Sequence, residues 1–194
     1  MMKTINKITL VVLMLSTTLS YAGKKEKDNA KAFAKSILVE FVNAKKGQKL
    51  LVKNEHGLIL HSETLKNSGD LSKAFNLNQL EDGKYTIELE KDYEIIIKPV
   101  EIKNNILTFL QNKEIKIFKP LVRHNKNKLL ISQLSLSSVP VKVEIFYEDE
   151  LIYSETINDE KTINRVYKLQ NEQFGNYHAI VKSDNRSYIE YFKL

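Results

Sequence analysis

The hexapeptide ILHSET at residues 59–64 returns almost unchanged as LIYSET at residues 151–156. The second copy begins 92 positions after the first, since 151 − 59 = 92. When the chain is shifted by this interval, apolar positions meet apolar positions over nearly the whole of 34–102 and 126–194. Collinear matching at one fixed spacing indicates an internal repeat, so the doubled hexapeptide predicts one equivalent strand in each of two related units.

The matched groups run from the start of each unit to its end. One slip is expected early, where Leu50-x-Val52 is predicted to correspond to Val141-x-Val143. The other correspondences are Ile37-Leu38-Val39 with Leu129-Leu130-Ile131, Phe75-x-Leu77 with Tyr167-x-Leu169, Gly83-x-Tyr85 with Gly175-x-Tyr177, and Val100-x-Ile102 with Phe192-x-Leu194.

Each unit consists of short apolar runs separated by turn residues. Tyr85-x-Ile87-x-Leu89 alternates with period two, and Asn54–Gly57, Asn67–Asp70 and Glu81-Asp82-Gly83 supply the turns. Strands of four to eight residues at near-regular spacing are typical of an all-β sandwich or barrel. The other predicted strands in the first unit are Ile37–Val42, Leu50–Val52, Leu58–Leu60, Ala74–Leu77 and Tyr93–Ile97.

A Gly-x-Tyr group opens the last alternating stretch of each unit, as Gly83 with Tyr85 and Gly175 with Tyr177. We expect each glycine to allow a sharp turn with positive φ. The tyrosine two residues later can place its ring in the core and its hydroxyl on the turn backbone, as in the tyrosine corner of immunoglobulin-like sandwiches. These four residues are therefore predicted to be structural, in two tandem immunoglobulin-like β-sandwich domains.

The stretch between the repeats, residues 103–125, is too apolar for a free linker. Ile106–Leu110 and Ile115–Phe118 are predicted strands around an Asn112-Lys113 turn, which either add a hairpin to the first domain or bridge both domains. The predicted domains are residues 36–120 and 121–194, with Pro120 near the boundary.

The N-terminus has the features of a secretory signal peptide. Lys3 and Lys7 are followed by an apolar run, and Ser20-Tyr21-Ala22 is a small-x-small cleavage site. Residues 1–22 are therefore predicted to be a cleaved signal peptide, and residues 23–35 a polar, lysine-rich lead-in. Export without any cysteine excludes a disulfide framework.

Charge and hydropathy narrow the classes of partner. Cleavage after Ala22 removes two lysines and lowers the net charge from +6 to 6 − 2 = +4, which is too small and too dispersed for a nucleic-acid footprint. No later segment is long and apolar enough for a membrane span. The remaining prediction is a protein partner or another component of the cell envelope.

Few residues suggest reaction chemistry. His56, His61, His124 and His178 are not spaced as metal ligands, so no metal site and no cofactor is predicted. Glu63 and Glu155 recur at equivalent positions but belong to different domains, and we expect both to face outward rather than to act as an acid–base pair. We predict no catalytic residue and a non-enzymatic protein.

Aromatic residues crowd the later strands, as Phe146, Tyr147, Tyr153, Tyr188 and Phe192. Since one face of each strand must be core, filling of the core is the favoured interpretation of these rings. Tyr191 falls on the opposite face of the last strand, so it is the predicted contact for a partner.

The stretch FNLNQLEDGKYTIEL at residues 75–89 carries a resemblance to a known family. Leu77, Leu80, Gly83 and Tyr85 match the L-x-x-L-x-x-G-x-Y pattern of the C-terminal sorting domains of type IX secretion cargo in Bacteroidetes. In the second repeat Leu169, Gly175 and Tyr177 match, with Phe174 near the second leucine. The family's opening Pro-Asn-Pro-like element is missing. The resemblance implies an immunoglobulin-like fold and a bacterial envelope protein.

Two functions follow as expectations. The first is an exported, non-enzymatic binding or structural protein of the envelope, located in the periplasm, at the cell surface or in the medium. The second makes the C-terminal domain a type IX sorting signal.

Overall fold

The computed structural model describes residues 36–110, 114–137, 139–170 and 174–194, and within these ranges every regular element is a β-strand. The predicted signal peptide and lead-in lie outside the described residues. The strands are β1 Ser36–Ala44, β2 Lys49–Asn54, β3 Ile59–Thr64, β4 Gly69–Asn76, β5 Gly83–Glu90, β6 Glu94–Lys103, β7 Ile106–Phe109, β8 Ile115–Phe118, β9 Leu121–Asn125, β10 Lys128–Leu134, β11 Val141–Tyr147, β12 Glu150–Ile157, β13 Thr162–Lys168, β14 Asn176–Ser183 and β15 Arg186–Lys193.

The first sandwich packs the pair β1-β4 against a larger sheet of order β3-β2-β5-β6. Every neighbouring pair of strands is antiparallel. Alternate residues of both sheets point inward and form one core, because the side-chain period of a strand is two. The most deeply buried members of this core are Val39, Leu50, Val52, Ile87, Leu89, Val100 and Ile102.

The second sandwich repeats this arrangement with the sheets β13-β10-β9 and β12-β11-β14-β15. Its core takes residues from both sheets, with Leu129 and Ile131 on one side and Val143, Ala179 and Val181 on the other. The fold is therefore all-β with immunoglobulin-like sandwiches, as the alternation of the sequence predicts.

Strand registers establish the repeat residue by residue. Ser36 lies opposite Asn76 on β4, and Lys128 lies opposite Lys168 on β13; both members shift by 92, since 128 − 36 = 92 and 168 − 76 = 92. The β5–β6 pair and the β14–β15 pair agree in the same way. The predicted internal repeat is confirmed.

The predicted slip inside the repeat was in the wrong direction. Leu50 lies opposite Leu89, and Val143 lies opposite Val181, which is the equivalent of Leu89. Leu50 therefore corresponds to Val143 rather than to Val141, a shift of 143 − 50 = 93. Both alignments keep apolar side chains on one face because they differ by two residues, so the pattern alone could not separate them.

The segment between the repeats contributes strands first to the larger sheet of the first sandwich and then to the second sandwich. β7 and β8 are strands as predicted, but each pairs with β6, β7 along Val100–Lys103 and β8 along Glu94–Ile97. They lie end to end on one strand edge, so the expected hairpin between them was wrong. β9 pairs with β10 and begins at Leu121.

The Gly-x-Tyr groups lie at the expected turns, but their glycines do not adopt the expected backbone conformation. Neither Gly83 nor Gly175 has a positive φ, so that part of the prediction was wrong. The hydroxyl of Tyr85 donates a 2.9 Å hydrogen bond to the carbonyl of Glu81, which is the contact of a tyrosine corner. Tyr85 and Tyr177 both lie in the cores.

A buried ionic cluster joins the two halves of the chain. The carboxylate of Glu88 on β5 accepts a 2.8 Å hydrogen bond from Lys53 Nζ, and Arg186 Nη2 of the second sandwich lies 2.9 and 2.8 Å from its two oxygens. Burial by itself raises the pKa of Glu88, but these cations outweigh burial and hold the pKa below its ordinary value. Glu88 is therefore an ionised link between the halves.

Candidate functional site: two edge grooves

The doubled hexapeptide forms an exposed edge strand in each sandwich. β3 ends the sheet β3-β2-β5-β6, and β12 ends the sheet β12-β11-β14-β15. Ile59 and Leu60 are 52% and 40% exposed, and Leu151, Ile152 and Tyr153 are 50%, 45% and 45% exposed. Edge strands of soluble proteins normally carry lysine, proline or other devices that prevent pairing. These two edges expose apolar side chains beside a β-bulge, which is itself one of these devices.

A β-bulge occurs at the same place in both edge strands. The pairing shifts between Val52 and Lys53 on β2, and between Ile145 and Phe146 on β11. One residue of each edge strand is left without an opposite partner there, Leu60 in β3 and Ile152 in β12. A bulge redirects side chains and raises the local twist of a strand. Both edge strands therefore bend at the same position of the repeat.

Each bulge lies beside a groove between two strands that do not pair. β3 and β4 belong to different sheets, as do β12 and β13, so each sandwich has an open side. The first groove has a volume of about 310 Å³ and the second about 410 Å³. Their linings correspond through the repeat: Val52, Leu60, His61, Phe75 and Leu77 in the first, and Ile145, Ile152, Tyr153, Tyr167 and Leu169 in the second.

An ion pair spans the open side of each sandwich. Glu63 on β3 pairs with Lys73 on β4, and Glu155 Oε1 on β12 lies 3.0 Å from Arg165 Nε on β13. Glu63 is opposite Leu50, a core residue, and opposite residues in a sheet point to the same side. The prediction that Glu63 and Glu155 face outward was therefore wrong, because both reach across the groove to the other sheet.

The second groove carries more polar contacts than the first. The hydroxyl of Tyr167 donates a 2.7 Å hydrogen bond to Glu155 Oε2, and Arg165 also binds Glu160. The bond from Tyr167 lowers the pKa of Glu155, burial opposes it, and Arg165 adds to the lowering. Burial and the Glu155 carboxylate raise the pKa of Tyr167. Glu63 and Glu155 are thus both ionised, and each carboxylate holds its edge strand to the other sheet.

The grooves have the chemistry of binding sites. His61 and Phe75 in the first groove correspond to Tyr153 and Tyr167 in the second, so the two linings differ at two ring positions. In the ranges that the structure describes, no group of three or more His, Asp or Glu side chains could hold a metal ion. The grooves combine apolar and polar side chains beside the backbone of an edge strand, an arrangement that can hold an extended chain.

The histidines lie apart from one another. His56 is next to Glu55 in a turn, and His61 Nε2 is 3.7 Å from Glu63. His124 stacks on Phe192, with ring centroids 5.3 Å apart. His178 lies between Phe146 and Tyr191, at 4.5 and 5.4 Å between centroids.

Tyr191, the predicted partner contact, is 72% exposed on the outer face of β15. It lies away from both grooves. The expectation that rings on earlier strands fill the core was wrong for two of them. Phe146 stacks with His178 on the outer face, and Tyr153 lies on the exposed edge β12.

Sequence reasoning missed the lysine and arginine that close the grooves. Lys73 and Arg165 are 165 − 73 = 92 positions apart and both basic, so the repeat aligns them. The signal was therefore present, but the strand order was needed to show that they face the two SET glutamates.

Comparisons with known proteins give no family. The chain matches no protein-family model and no curated protein. One solved structure that it is similar to is described as "Biofilm associated protein - BSP domain", at 12% identity and a TM-score of 0.28. The similarity covers 81% of this chain and 27% of that one, so this chain spans about a quarter of its length. At this level the likeness carries no conclusion about function.

Among the described residues, no helix has the length and apolarity that crossing a membrane would require.

Proposed function

We propose that this protein is an exported, non-enzymatic binding or structural protein of the cell envelope that receives an extended segment of a partner at its two edge grooves. The partner's backbone pairs with β3 or β12, and its alternate side chains enter the adjoining groove. Strand addition of this kind gains affinity from backbone hydrogen bonds and specificity from pockets for alternate residues.

The carrying observation is that the same exposed apolar edge, bulge, groove and ion pair occur twice in one chain. A single exposed apolar strand is a liability for aggregation. Here the liability recurs at equivalent positions, with Leu60 and Ile152 at the two bulges. The ion pairs of Glu63 with Lys73 and of Glu155 with Arg165 tie each edge strand to the other sheet of its sandwich.

A photo-crosslinking amino acid placed at Leu60 or Tyr153 tests the proposal in intact cells. We expect each position to yield a discrete adduct with an envelope component. The matched control is Leu130, which is 37% exposed on β10, a strand paired on both sides, and lies outside both grooves. Equal adducts from Leu130 and the groove positions would contradict the proposal.

Charged substitutions on the edge strands provide a second test of the same proposal. Leu60→Lys and Ile152→Lys put a cation where a partner strand must approach, so both should abolish the adducts without unfolding the protein. Leu130→Lys, on a strand paired on both sides, should leave the adducts in place. Adducts that survive both groove substitutions would show that the partner binds elsewhere.

Export itself is proposed from the signal peptide at residues 1–22, and the final compartment stays open among periplasm, cell surface and medium. The sorting function stays a separate prediction for residues 126–194. The residues that carry the resemblance in the first repeat, Leu77 and Tyr85, are used in its core. Fusion of residues 126–194 to an exported reporter in a Bacteroidetes host tests sorting, and a reporter retained in the periplasm would count against it.

A further inference from the structure

The outer face of the first sandwich is where the second sandwich makes its charged contact. Leu51, Glu88 and Ile97 lie opposite one another in one row across β2, β5 and β6, on the side away from the core. All three are buried, at 3%, 3% and 7% exposure, so this face is covered. Arg186, which follows the β14–β15 turn, reaches Glu88 there. One end of the second sandwich thus docks on a sheet face of the first.

The equivalent face of the second sandwich has the same row of residues but is exposed. Glu144, Ile180 and Ile189 lie opposite one another across β11, β14 and β15. Ile189 is 50% exposed, and Tyr191, two residues further along the same face, is 72% exposed. Large apolar side chains grouped on one exposed face are typical of an interaction surface. Because the same face of the first sandwich receives the end of a sandwich, the repeat predicts the same kind of occupant here.

The equivalent end of the first sandwich carries an exposed aromatic side chain. The β5–β6 turn corresponds to the β14–β15 turn, and it places Tyr93 where the second sandwich has Asn185, since 93 + 92 = 185. Tyr93 is 70% exposed. The receiving face changes in the same sense, because Glu88 of the first sandwich corresponds to Ile180 of the second. Within the chain a polar turn meets a charged face, and an aromatic turn and an apolar face remain.

Charges at two further positions are reversed together. Glu90 lies beside the buried cluster that receives Arg186, with its carboxylate 4.0 Å from Lys53 Nζ. In the repeat, Lys182 is the counterpart of Glu90 on the face, and Glu94 is the counterpart of Arg186 at the turn. The contact within the chain therefore joins an acidic face to a basic end, and the remaining pair is a basic face and an acidic end. Complementary charge of this kind selects partners and fixes their register.

The basic face has charge to spare. Lys142 and Lys182 share the single carboxylate of Glu144, at 2.6 and 2.8 Å, so this cluster keeps a net charge of +1. Glu94 contacts Lys91 of its own turn at 3.3 Å. A carboxylate has two oxygens and can accept from two cations, as Glu144 does, so Glu94 retains capacity for a lysine of another chain.

We propose that the β5–β6 turn of a second copy of this chain docks on the outer face of the sheet β12-β11-β14-β15, as the β14–β15 turn docks on the first sandwich within the chain. Tyr93 of the second copy packs on the row of Ile180 and Ile189, and Glu94 of the second copy faces Lys182. The contact joins an end to a face, so it is heterologous, and it links copies head to tail. It goes beyond the proposed function, since neither groove contributes a residue to it.

An exchange of the two reversed charges tests the contact. The parent chain should form species larger than a dimer as its concentration rises in sedimentation experiments. Lys182→Glu opposes Glu94 of the next copy, and Glu94→Lys opposes Lys182, so each variant alone should associate at least about tenfold more weakly. An equimolar mixture of the two variants should assemble again, because every contact in an alternating row then pairs opposite charges.

The chain contains no cysteine, so introduced thiols locate the contact directly. Tyr93→Cys chains mixed with Ile189→Cys chains should give a covalent dimer with a short bis-maleimide. Leu130→Cys is the matched control for Ile189→Cys, since Leu130 is 37% exposed on the other sheet of the same sandwich. We expect at least about tenfold less dimer from its mixture with Tyr93→Cys, because those thiols are not held at high effective concentration. Chains that carry both Tyr93→Cys and Ile189→Cys should give a ladder of products beyond the dimer.

Four outcomes would overturn the inference. Equal dimer from the Ile189→Cys and Leu130→Cys mixtures would mean random collision, and no dimer from either would mean that the end and the face do not meet. A parent chain that sediments as a monomer at all concentrations would have the same meaning. A mixture of the two charge variants that stays as dissociated as each variant alone would show that Glu94 and Lys182 do not face each other between copies.

Discussion

At the residue scale, the two Gly-x-Tyr groups look alike in sequence but use their glycines differently. A Cβ atom at Gly83 would meet only the Tyr85 ring, 3.6 Å away, which is ordinary contact. A Cβ atom at Gly175 would lie 2.6 Å from Tyr147 Cε2 and 2.7 Å from Glu148 Oε1. Glycine is therefore required at 175 for close approach and not for backbone conformation.

This difference predicts unequal costs for the same substitution. Gly175→Ala should destabilise the protein by about 1–3 kcal/mol, because the partly buried ring of Tyr147 has to move. Gly83→Ala should change stability by less than about 1 kcal/mol, since nothing has to move. Urea unfolding of the two variants measures both values, and equal losses would show that the close approach at Gly175 is not what selects glycine.

At the element scale, the edge strands β3 and β12 are tied to the opposite sheet by side chains alone. The tie of β12 is the Glu155 carboxylate, which accepts bonds from Tyr167 and Arg165. Its pKa is lowered from the ordinary value of 4.5, chiefly by the Tyr167 bond. A carboxyl group whose pKa is lower in the folded state stabilises the fold above its unfolded pKa, and this contribution is lost as the pH falls through the folded pKa.

The acid dependence of stability should therefore change when Glu155 is neutralised. The parent chain should lose melting temperature as the pH falls below 4.5, and Glu155→Gln should lose less over the same range, although it starts lower. Glu150→Gln is the control, since Glu150 begins the same strand and is exposed. Thermal unfolding followed from about pH 6 to about pH 3 measures the slopes; identical slopes for Glu155→Gln and the parent would contradict the prediction.

At the scale of the whole molecule, the two sandwiches are linked by charged side chains that are largely buried. Glu88 is 3% exposed, and its partners Lys53 and Arg186 come from different halves of the chain. The second sandwich has an ionic cluster too, with Glu144 between Lys142 and Lys182, but both lysines are about half exposed. Glu144 is also buried, at 7% exposure, so the clusters differ in their cations: the side chains of Lys142 and Lys182 are near solvent, whereas that of Arg186 is 17% exposed. Pairs with exposed cations contribute less to stability.

Arg186→Met should destabilise the protein by about 3 kcal/mol, because it leaves the Glu88 carboxylate buried with one cation fewer. Lys182→Met, the matched change at a cation that is about half exposed, should cost less than about 1 kcal/mol. Denaturant unfolding compares the two, and a small effect of Arg186→Met would mean that the halves do not depend on this contact. Separate unfolding transitions in that variant would show that the contact couples them.

The sequence by itself determined the all-β class, most of the strands and the repeat, but not β9 at Leu121–Asn125. Alternation of side chains such as Tyr85, Ile87 and Leu89 is dictated by the period of a strand, and matching at 92 residues is a property of the chain alone. It also placed Tyr191 on an exposed face, because alternate residues of one strand point to opposite sides.

Only the tertiary structure decided which strand is an edge and what faces it. The pattern of apolar residues along a strand does not reveal strand order. The sequence therefore predicts ILHSET and LIYSET as strands, but not as the edges of their sheets. The same limit hid the pairing of Glu63 with Lys73 and of Glu88 with Arg186, whose partners are remote in sequence. A strand's periodicity fixes which side chains share a face, but contact across sheets depends on how the sheets pack.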